Sequence, residues 1–598
     1  YLLTHNKINI TADKKRIDKK EISTYLKQKP NKKFLSFFRF KLWVYQQASK
    51  KNRNTKLNHW LKNGVGEAPV IFDSVAMAES GKNIHLYLKN LGYFNNRVIV
   101  HTEYHKKKNK VKAIYNIYPS EAYKIRKWEY EIVDEQMASY VFQDTSLAKI
   151  KKGHLYNVYK MDEERDRITT HLNNKGYFRF TKESINYEVD STLGGHQLDI
   201  TLKINNNLIP SAIKPGTFDE IRHSRFFINR VFVNPDYDPI LSRSIEYDTL
   251  DLEVHQLRKH APANYYSFLH KGPIRVNPKT IVQSVFIEDN EPYNLQDVKE
   301  SYRRLGGISA FDYKSIVFTE VERDTIINDS TDRFLRCNIN LSRSQLMSYT
   351  IEAEGTNKGG DLGMGASLTY LNKNIFRGGE LLRIRLKGGL EAQKLSGEES
   401  QQQQFLFFNT WEAGLDATIL FPKFMIPIKQ EKFPKYFRPY TTMSTGINFQ
   451  QRPQYFRSIA TVSFGYQWRE SDFKEHNLNP IELNLVKIDP TDEFAQELEE
   501  LEDERLKNQY SDHLTFGLRY TYTFNNQDIR KLKNFVFLRV NAETSGNLLY
   551  LIDKAVGAPR NSSGEYTLFN ITYSQYAKID FDFRYYFVFN RVNMLVLR

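Results

Sequence analysis

The last 255 residues of this chain, 344–598, are built from short segments in which polar and apolar residues alternate. Residues 382–387, Leu-Arg-Ile-Arg-Leu-Lys, are a brief example, and 572–585 is the longest. In 572–585 one face carries Tyr573, Ile579, Phe581, Phe583 and Tyr585, and the other carries Thr572, Ser574, Lys578, Asp580, Asp582 and Arg584. A period of two predicts β-strands, here joined as antiparallel hairpins with one apolar and one polar face each.

A long series of such strands, rich in aromatic residues, favours a transmembrane β-barrel over a soluble sandwich. The apolar face would contact lipid and the polar face a wet lumen, which predicts a location in an outer membrane. A mean hydropathy of −0.58 does not oppose this interpretation, because only every second residue of a barrel strand must be apolar. No apolar run approaches the roughly 20 residues of a membrane helix, so helical membrane proteins are excluded.

The pattern predicts about ten strands and the start of an eleventh. The predicted strands are 346–355, 362–371, 381–393, 408–422, 437–452, 458–470, 476–489, 513–527, 534–548, 567–589 and 592–598. The longer connections, 396–404, 490–508 and 549–566, all lie on one side of the predicted barrel, the outward side. The connections on the inward side are shorter, except for 423–436. Phe494, Leu498 and Leu501 have helical spacing and predict an acidic helix in the outward connection. That helix either docks a partner or packs on its own loops.

The first half contains three similar segments, each with a helix-like stretch, a glycine and two alternating strands. The glycines are Gly92, Gly176 and Gly306. A glycine just after a helix commonly adopts a left-handed conformation, which predicts helix ends at these positions. Candidate first strands at 1–10, 122–133 and 227–233 complete three β-α-α-β-β units. The spacing between the second and third glycines predicts an insertion within 235–274. The predicted domains are 1–121, 122–207, 224–343 (with the insertion) and 344–598.

Other classes of function receive little support from the sequence. The net charge of +16 is dispersed in small clusters, which favours solvated turns or anionic lipid contacts over nucleic acid. The single cysteine permits no internal disulfide and no cysteine-based metal site. No nucleotide loop, serine elbow or His-Glu-x-x-His motif occurs. We therefore expect no enzyme activity, no cofactor and no metal.

The three repeats and one early hairpin resemble the BamA/TamA superfamily of outer-membrane β-barrel assembly proteins, whose repeats are POTRA domains. The repeat glycines Gly92, Gly176 and Gly306 match the POTRA pattern. The barrel motif follows Asn374-Ile375 and consists of Phe376, Arg377, Gly378, Gly379 and Glu380. The segments Phe421-Pro422 and Tyr466-Gln467-Trp468 are also similar to that barrel. Three POTRA-like units are similar to TamA, and in particular to the TamL lipoproteins.

The resemblance implies a barrel of 16 strands, with the remaining strands beyond Arg598 and a lipidated cysteine before Tyr1. It implies that the protein folds or translocates β-barrel clients through a lateral gate formed by its first barrel strand. The expected client-binding residues are Leu346, Ser348, Tyr349, Thr350, Ile351, Glu352, Ala353, Glu354 and Gly355. Thr350, Glu352 and Glu354 would face the lumen, while Tyr349, Ile351 and Ala353 would face lipid.

The partners implied by the resemblance are outer-membrane lipid, unfolded β-barrel clients and a TamB-like periplasmic protein that pairs with POTRA sheet edges. The POTRA-like units would lie in the periplasm. Two alternatives stay open at this point. The first is a two-partner-secretion transporter that exports one cognate protein, and the second is a structural module that binds envelope components.

Overall fold

The structure is a computed structural model. The chain divides into two compact units, 1–225 and 226–598. The structure describes residues 1–11, 17–33, 38–50, 55–105, 107, 109–210, 217–241, 245–254, 263–321, 332–358, 361–393, 408–428, 433–528, 532–561, 564–589 and 593–598. In these ranges no helix combines the length and apolarity needed to cross a membrane.

The first unit begins with a three-stranded sheet of order β1-β3-β2, in which β1 and β3 are parallel. Its elements are β1 (Leu2–Ile10), α1 (Lys19–Ile22), α2 (Phe40–Lys50), α3 (Lys56–Trp60), α4 (Ser74–Asn90), β2 (Arg97–His105) and β3 (Lys110–Tyr118). Ile84 and Leu88 of α4 are fully buried against Ile117 of β3. This apolar stripe on α4 holds the helix against one face of the sheet.

A second sheet of order β4-β6-β5 follows in the same unit. Its elements are β4 (Lys124–Ile132), α5 (Glu135–Gln143), α6 (Val158–Asn173), β5 (Ile185–Asp190) and β6 (Gln197–Ile204), followed by the small hairpin β7 (Asn207–Pro210) and β8 (Phe218–Ile221). Met137, Ile168 and Leu202 form its core. The helices before Gly92 and Gly176 end with left-handed glycines, φ +88° and +103°, which suits residues without a Cβ.

The second unit opens with a five-stranded sheet of order β10-β11-β9-β13-β12. Its elements are β9 (Phe226–Asn234), β10 (Asp248–Val254), β11 (Asn264–His270), α7 (Pro278–Val282), α8 (Leu295–Leu305), β12 (Phe311–Val321) and β13 (Arg333–Arg343). The hairpin β10-β11 lies inside the range 235–274 where the sequence predicts an insertion. The expected left-handed glycine is wrong here, because Gly306 has φ −61° and stays helical.

The rest of the second unit is one antiparallel sheet of eleven strands in which consecutive strands pair. Its strands are β14 (Met347–Lys358), β15 (Asp361–Asn372), β16 (Leu381–Ala392), β17 (Thr410–Phe421), β18 (Tyr440–Gln451), β19 (Tyr455–Arg469), β20 (Lys474–Pro490), β21 (His513–Asn525), β22 (Phe535–Ser545), β25 (Tyr576–Val588) and β26 (Met594–Leu597). Between them lie α9 (Asp492–Glu500), α10 (Glu504–Gln509), α11 (Asn547–Val556), β23 (Thr567–Leu568) and β24 (Ile571–Thr572).

The predicted fold class, α+β units followed by an antiparallel sheet of hairpins, is confirmed. One predicted strand is wrong at its start: 567–589 is divided into the small hairpin β23-β24 and the long strand β25. Tyr573 therefore does not share a face with Phe581. Its ring is buried beside Leu514, and its hydroxyl donates to Asp553 at 2.8 Å. The intervening helix α11 supplies that aspartate.

Candidate strand-pairing edges

The predicted client-binding strand is β14, which forms an in-register hairpin with β15 from Met347–Asn372 to Lys358–Asp361. On its other edge β14 pairs with no strand among the residues that the structure describes. Leu346 precedes the strand, and its carbonyl accepts a hydrogen bond from the Lys373 N–H at 2.8 Å. The hairpin thus fixes one edge of β14 along its whole length.

The backbone groups of β14 divide between its two edges. In an antiparallel pair the residues alternate between those that bond the neighbouring strand and those that point away. Leu346 bonds to the β15 side. The backbone groups of every second residue after it therefore bond to β15 as well: Ser348, Thr350, Glu352 and Glu354. Tyr349, Ile351, Ala353 and Gly355 then direct their N–H and C=O groups to the outer edge.

The side chains of β14 alternate between two faces. Tyr349 and Ile351 are 70% and 81% exposed on the apolar face, and the Tyr349 ring lies 5.1 Å from the ring of Tyr370 on β15. On the polar face Glu352 accepts from Ser367 at 3.3 Å and lies 3.9 Å from Arg385 of β16. The strand is therefore amphipathic, with charge on one face and large apolar groups on the other.

The apolar face continues across the sheet and is bounded by aromatic residues at both ends. One end carries the far-side aromatic group, in which Phe456 lies 6.2 Å from both Trp411 and Phe449. The other end, near the third α+β sheet, carries the junction-side aromatic group. There the ring of Phe424 lies 4.9 Å from Phe433, 6.0 Å from Tyr466 and 5.9 Å from Trp468.

The distance between the two aromatic groups can be read from β19. Phe456 and Tyr466 are ten positions apart on the same face. Ten residues span about 33 Å along a strand. A strand tilted by about 40° would cover about 25 Å of membrane normal, which is the height of the apolar band of an outer-membrane barrel. The aromatic rows thus have the spacing of membrane-interface girdles.

The first strands of the α+β sheets are a second kind of candidate edge, and the three sheets differ there. In the second sheet the start of β4 is covered by residues 153–156. Ile125 donates to the His154 carbonyl at 2.9 Å and accepts from Gly153 at 2.8 Å. Beyond a bulge between Ile125 and Lys127, β4 has no further strand partner on this edge in the described part of the chain.

The third sheet repeats this arrangement at β9. Ile228 donates to the Glu291 carbonyl at 2.9 Å and accepts from Asn290 at 2.6 Å. A bulge again follows, between Ile228 and Arg230. The matching hydrogen bonds and bulges place Val231–Val233 of β9 at the positions of Trp128–Tyr130 of β4.

The two sheets differ at these equivalent positions. In the third sheet β11 of the inserted hairpin pairs with β9 in parallel, Tyr266–Phe268 with Val231–Val233. In the third sheet the first strand is therefore not a terminal strand, because the chain covers it with its own strand β11. In the first sheet β1 is covered at its start by residues 70–72, and like β4 it is a terminal strand.

The barrel motif forms a tight turn between β15 and β16. Glu380 is 3% exposed, and its carboxylate accepts from the backbone N–H groups of Phe376 and Gly378 at 3.2 and 2.9 Å. Arg377 and Gly379 have positive φ, +66° and +77°. A Cβ on Gly379 would lie 3.1 Å from Ile308. The motif is thus a tight turn that packs against Ile308 of the third sheet.

This turn contacts the third sheet next to its repeat glycine, Gly306, and the sequence did not indicate this contact. Ile308 follows Gly306-Gly307, and a Cβ on Gly307 would lie 3.0 Å from the Tyr440 hydroxyl. The Asn277 N–H donates to the Arg377 carbonyl at 2.7 Å. We call this contact between the third sheet and the β15–β16, β17–β18 and β19–β20 connections the junction.

Ion pairs complete the junction. Glu300 of α8 accepts from Arg438 at 2.9 Å and from Arg303, and Arg303 also donates to Asp472 at 2.7 Å. Burial raises the pKa of Glu300, and the neighbouring Arg303 opposes this effect. Lys435 bonds Glu288 at 3.2 Å. Through Lys435, the end of the long predicted connection 423–436 contacts the third sheet.

Metal binding finds no support in the described residues, where no group of three or more His, Cys, Asp or Glu side chains could hold an ion. Cys337 is buried in β13, and burial raises the pKa of its thiol. The groups that the candidate edges present are backbone N–H and C=O groups.

Comparisons with known proteins found likenesses in structure only. No protein-family model and no curated protein sequence matches this chain. The crystal structure of BamA from Haemophilus ducreyi lacking POTRA domains 1–3 has a TM-score of 0.37 and 10% identity, covering 71% of this chain and 64% of that one. CdiB from Acinetobacter baumannii has a TM-score of 0.34 and 8% identity, covering 91% of this chain and 74% of that one.

POTRA1–3 of the periplasmic domain of Omp85 from Anabaena has a TM-score of 0.17 and 11% identity, covering 58% of this chain and 96% of that one. The similar structures are thus BamA, CdiB and Omp85 POTRA domains. TM-scores below 0.5 assign no activity to this chain.

Proposed function

We propose that this chain is an outer-membrane assembly factor that folds, inserts or translocates β-barrel clients by strand addition. The observation that carries the proposal is an amphipathic sheet of hairpins, with aromatic rows about 25 Å apart, in the same chain as α+β sheets with open first-strand edges. The large sheet spans the membrane, and the α+β sheets lie in the periplasm.

In this proposal β14 is the client-binding strand. Its outer-edge N–H and C=O groups, on Tyr349, Ile351, Ala353 and Gly355, form a template for a client strand. A client that pairs there satisfies its backbone groups before it meets hydrocarbon, where each unsatisfied group costs several kcal/mol. This removes a large barrier to insertion without a nucleotide or other energy source.

The open edges of β1 and β4 would bind extended segments of clients, or of a TamB-like periplasmic partner, before they reach β14. The barrel would contain 16 strands, with the protein anchored as a TamL-type lipoprotein. Both statements extend the resemblance of the repeats and of Phe376–Glu380 to the BamA/TamA superfamily.

Depletion of the protein tests the proposal against its alternatives. We expect the abundance of many outer-membrane barrel proteins to fall, measured by quantitative proteomics of the outer-membrane fraction. Loss of a single secreted product would instead support a two-partner-secretion transporter. No change in either would contradict both and leave a structural envelope-binding module.

The role of β14 is tested by Ala353→Pro. Proline removes an outer-edge N–H and is tolerated on edge strands, so the β14–β15 hairpin should persist while client addition fails. Ala353→Val is the matched control, because it keeps the N–H. We expect Ala353→Pro to reproduce the barrel losses of depletion at normal protein level, with Ala353→Val indistinguishable from wild type. Normal barrel abundance with Ala353→Pro would contradict the strand-addition mechanism.

A further inference from the structure

A cavity of about 740 Å³ lies at the junction. Its walls come from the inserted hairpin, α7, the end of α8, the β17–β18 connection and the end of β19. Apolar side chains form much of the lining, among them Val254, Ile308, Phe433, Pro439 and Trp468. A volume of this size and a lining of this kind are typical of sites for small molecules.

The same lining contains six cationic side chains, and four of them already have anionic partners. Arg303 and Arg438 share Glu300 and Asp472. Lys435 pairs with Glu288 at 3.2 Å, and Arg469 pairs with Glu475 at 3.0 Å. These four cations are neutralised by the protein and hold the junction together.

The remaining two cations, Arg304 and Lys279, make no ion pair within the part of the chain that the structure describes. Arg304 is half-buried, and its Nε atom is buried without a hydrogen-bond partner there. Burial lowers the pKa of this guanidinium, although the nearby Tyr440 and Glu300 oppose the shift. Lys279 is exposed at the start of α7. An anion in the cavity would supply the missing partner of both.

We propose that the cavity binds the phosphate headgroup of an anionic lipid, held by Arg304 and Lys279. A guanidinium presents a planar fork of donors that matches phosphate oxygens, and an ammonium adds a point charge. The apolar walls accept the start of the acyl chains. Trp468 lines the cavity and belongs to the junction-side aromatic group, so the cavity lies at headgroup level in the proposed membrane orientation. The inference rests on the proposed outer-membrane location.

The test titrates the purified full-length protein in detergent with short-chain phosphatidylglycerol and measures binding by calorimetry. Removal of a charged hydrogen-bond partner typically weakens binding about ten- to hundredfold. We expect that loss with Arg304→Gln, and a smaller loss with Lys279→Glu, which changes an exposed residue and does not threaten folding. Lys299→Gln is the matched control, because Lys299 lies on α8 but outside the cavity.

Parallel titrations identify the source of the phosphate. Short-chain phosphatidylcholine should bind at least tenfold more weakly than phosphatidylglycerol, and inorganic phosphate should not compete at equal concentration. Equal binding of either one would overturn the lipid assignment, and unchanged binding in both cavity variants would overturn the site. The assay does not require client insertion. A failed titration beside a positive depletion result would therefore reject only this inference, and the reverse result would reject only the proposed function.

Discussion

The second and third α+β sheets have the same arrangement but differ in whether another strand pairs with the outer edge of their first strand. In both, the first strand is covered at its start by a short antiparallel segment and then bulges. After the bulge, β4 is terminal in its sheet, whereas β9 is paired with β11 of the inserted hairpin. The difference concerns three residues in each strand, Trp128–Tyr130 and Val231–Val233.

The burial of these residues follows from the difference. Val231 and Val233 are completely buried, while Trp128 and Tyr130 remain partly exposed. An uncovered edge presents unpaired backbone groups that invite another strand. The third sheet fills this position from its own chain, which shows that the fold accepts a parallel strand there. The corresponding edge of the second sheet is therefore the better candidate for a partner strand.

The largest predicted effect comes from truncating a buried side chain of β11, the strand that covers the edge of β9. Tyr266 of β11 is fully buried, and its hydroxyl donates to the Ile287 carbonyl at 3.2 Å. Tyr266→Ala should destabilise this sheet by about 3–5 kcal/mol, as for other large aromatic truncations. Hydrogen exchange of peptides from β9 should then accelerate towards the rate seen in β4.

Tyr265→Ala is the matched control for this experiment. Tyr265 is the neighbouring residue on β11, but its ring is 44% exposed, so its loss should leave exchange in β9 unchanged. Slow exchange of β9 in Tyr266→Ala, or equal exchange of β4 and β9 in the wild type, would contradict the difference between the two edges.

Much of this comparison could be predicted from sequence, because local periodicity specifies strands and their faces. The alternation in β4, Lys-Ile-Arg-Lys-Trp-Glu-Tyr-Glu-Ile, predicts a half-exposed strand. The more continuous apolar run of β9, Phe-Phe-Ile-Asn-Arg-Val-Phe-Val-Asn, is typical of a strand covered on more than one side. The spacing of the repeat glycines also places the insertion. Which strand edge the insertion covers depends on long-range pairing, which periodicity does not encode.

The junction was missed for the same reason. Gly379 and Ile308 are far apart in sequence, and neither periodicity nor composition indicates that they touch. Arg304 and Lys279 could not be singled out among the 86 basic residues of the chain, because the absence of an ion pair within the described ranges depends on how the cavity is assembled. The faces of β14, in contrast, follow from alternation alone, and its register with β15 agrees with them.

A second, smaller effect distinguishes the helices that pack on the two sheets. In the second sheet the buried Glu164 of α6 is paired with Arg167 at 2.7 Å. In the third sheet burial, with a contribution from Glu288, raises the pKa of Asp297 on α8 to about 6, although Lys435 opposes the shift. The folded state therefore binds more protons than the unfolded state between about pH 4 and pH 6.

Stability of the third sheet should fall by about 1–2 kcal/mol as the pH rises through that window, and should be constant above it. Asp297→Asn should remove this fall, so that the variant melts at a higher temperature than wild type at pH 7 and at a similar temperature near pH 4. Thermal unfolding at a series of pH values measures the effect. The exposed Asp248→Asn on β10 serves as the control, and a pH profile shared by all three proteins would refute the assignment.

The smallest effect is expected at the contact between the third sheet and the barrel motif. Gly379 combines φ +77° with a close approach to Ile308. Alanine there adds a Cβ in a backbone region that disfavours it, which costs about 1 kcal/mol, and pushes against Ile308. Gly388→Ala is the matched control, because Gly388 has no positive φ and its added Cβ would meet the Glu412 carbonyl at an ordinary 3.7 Å.

Because Ile308 follows the repeat glycines of the third sheet, Gly379→Ala should loosen the junction without unfolding either sheet. Limited proteolysis should then cut the 373–380 connection faster in Gly379→Ala than in Gly388→Ala, while hydrogen exchange in β9 and β15 stays at the wild-type level. Faster exchange in β15 itself would mean that Gly379 stabilises the hairpin rather than the docking contact. Unchanged proteolysis would mean that Ile308 can shift to accommodate the methyl group.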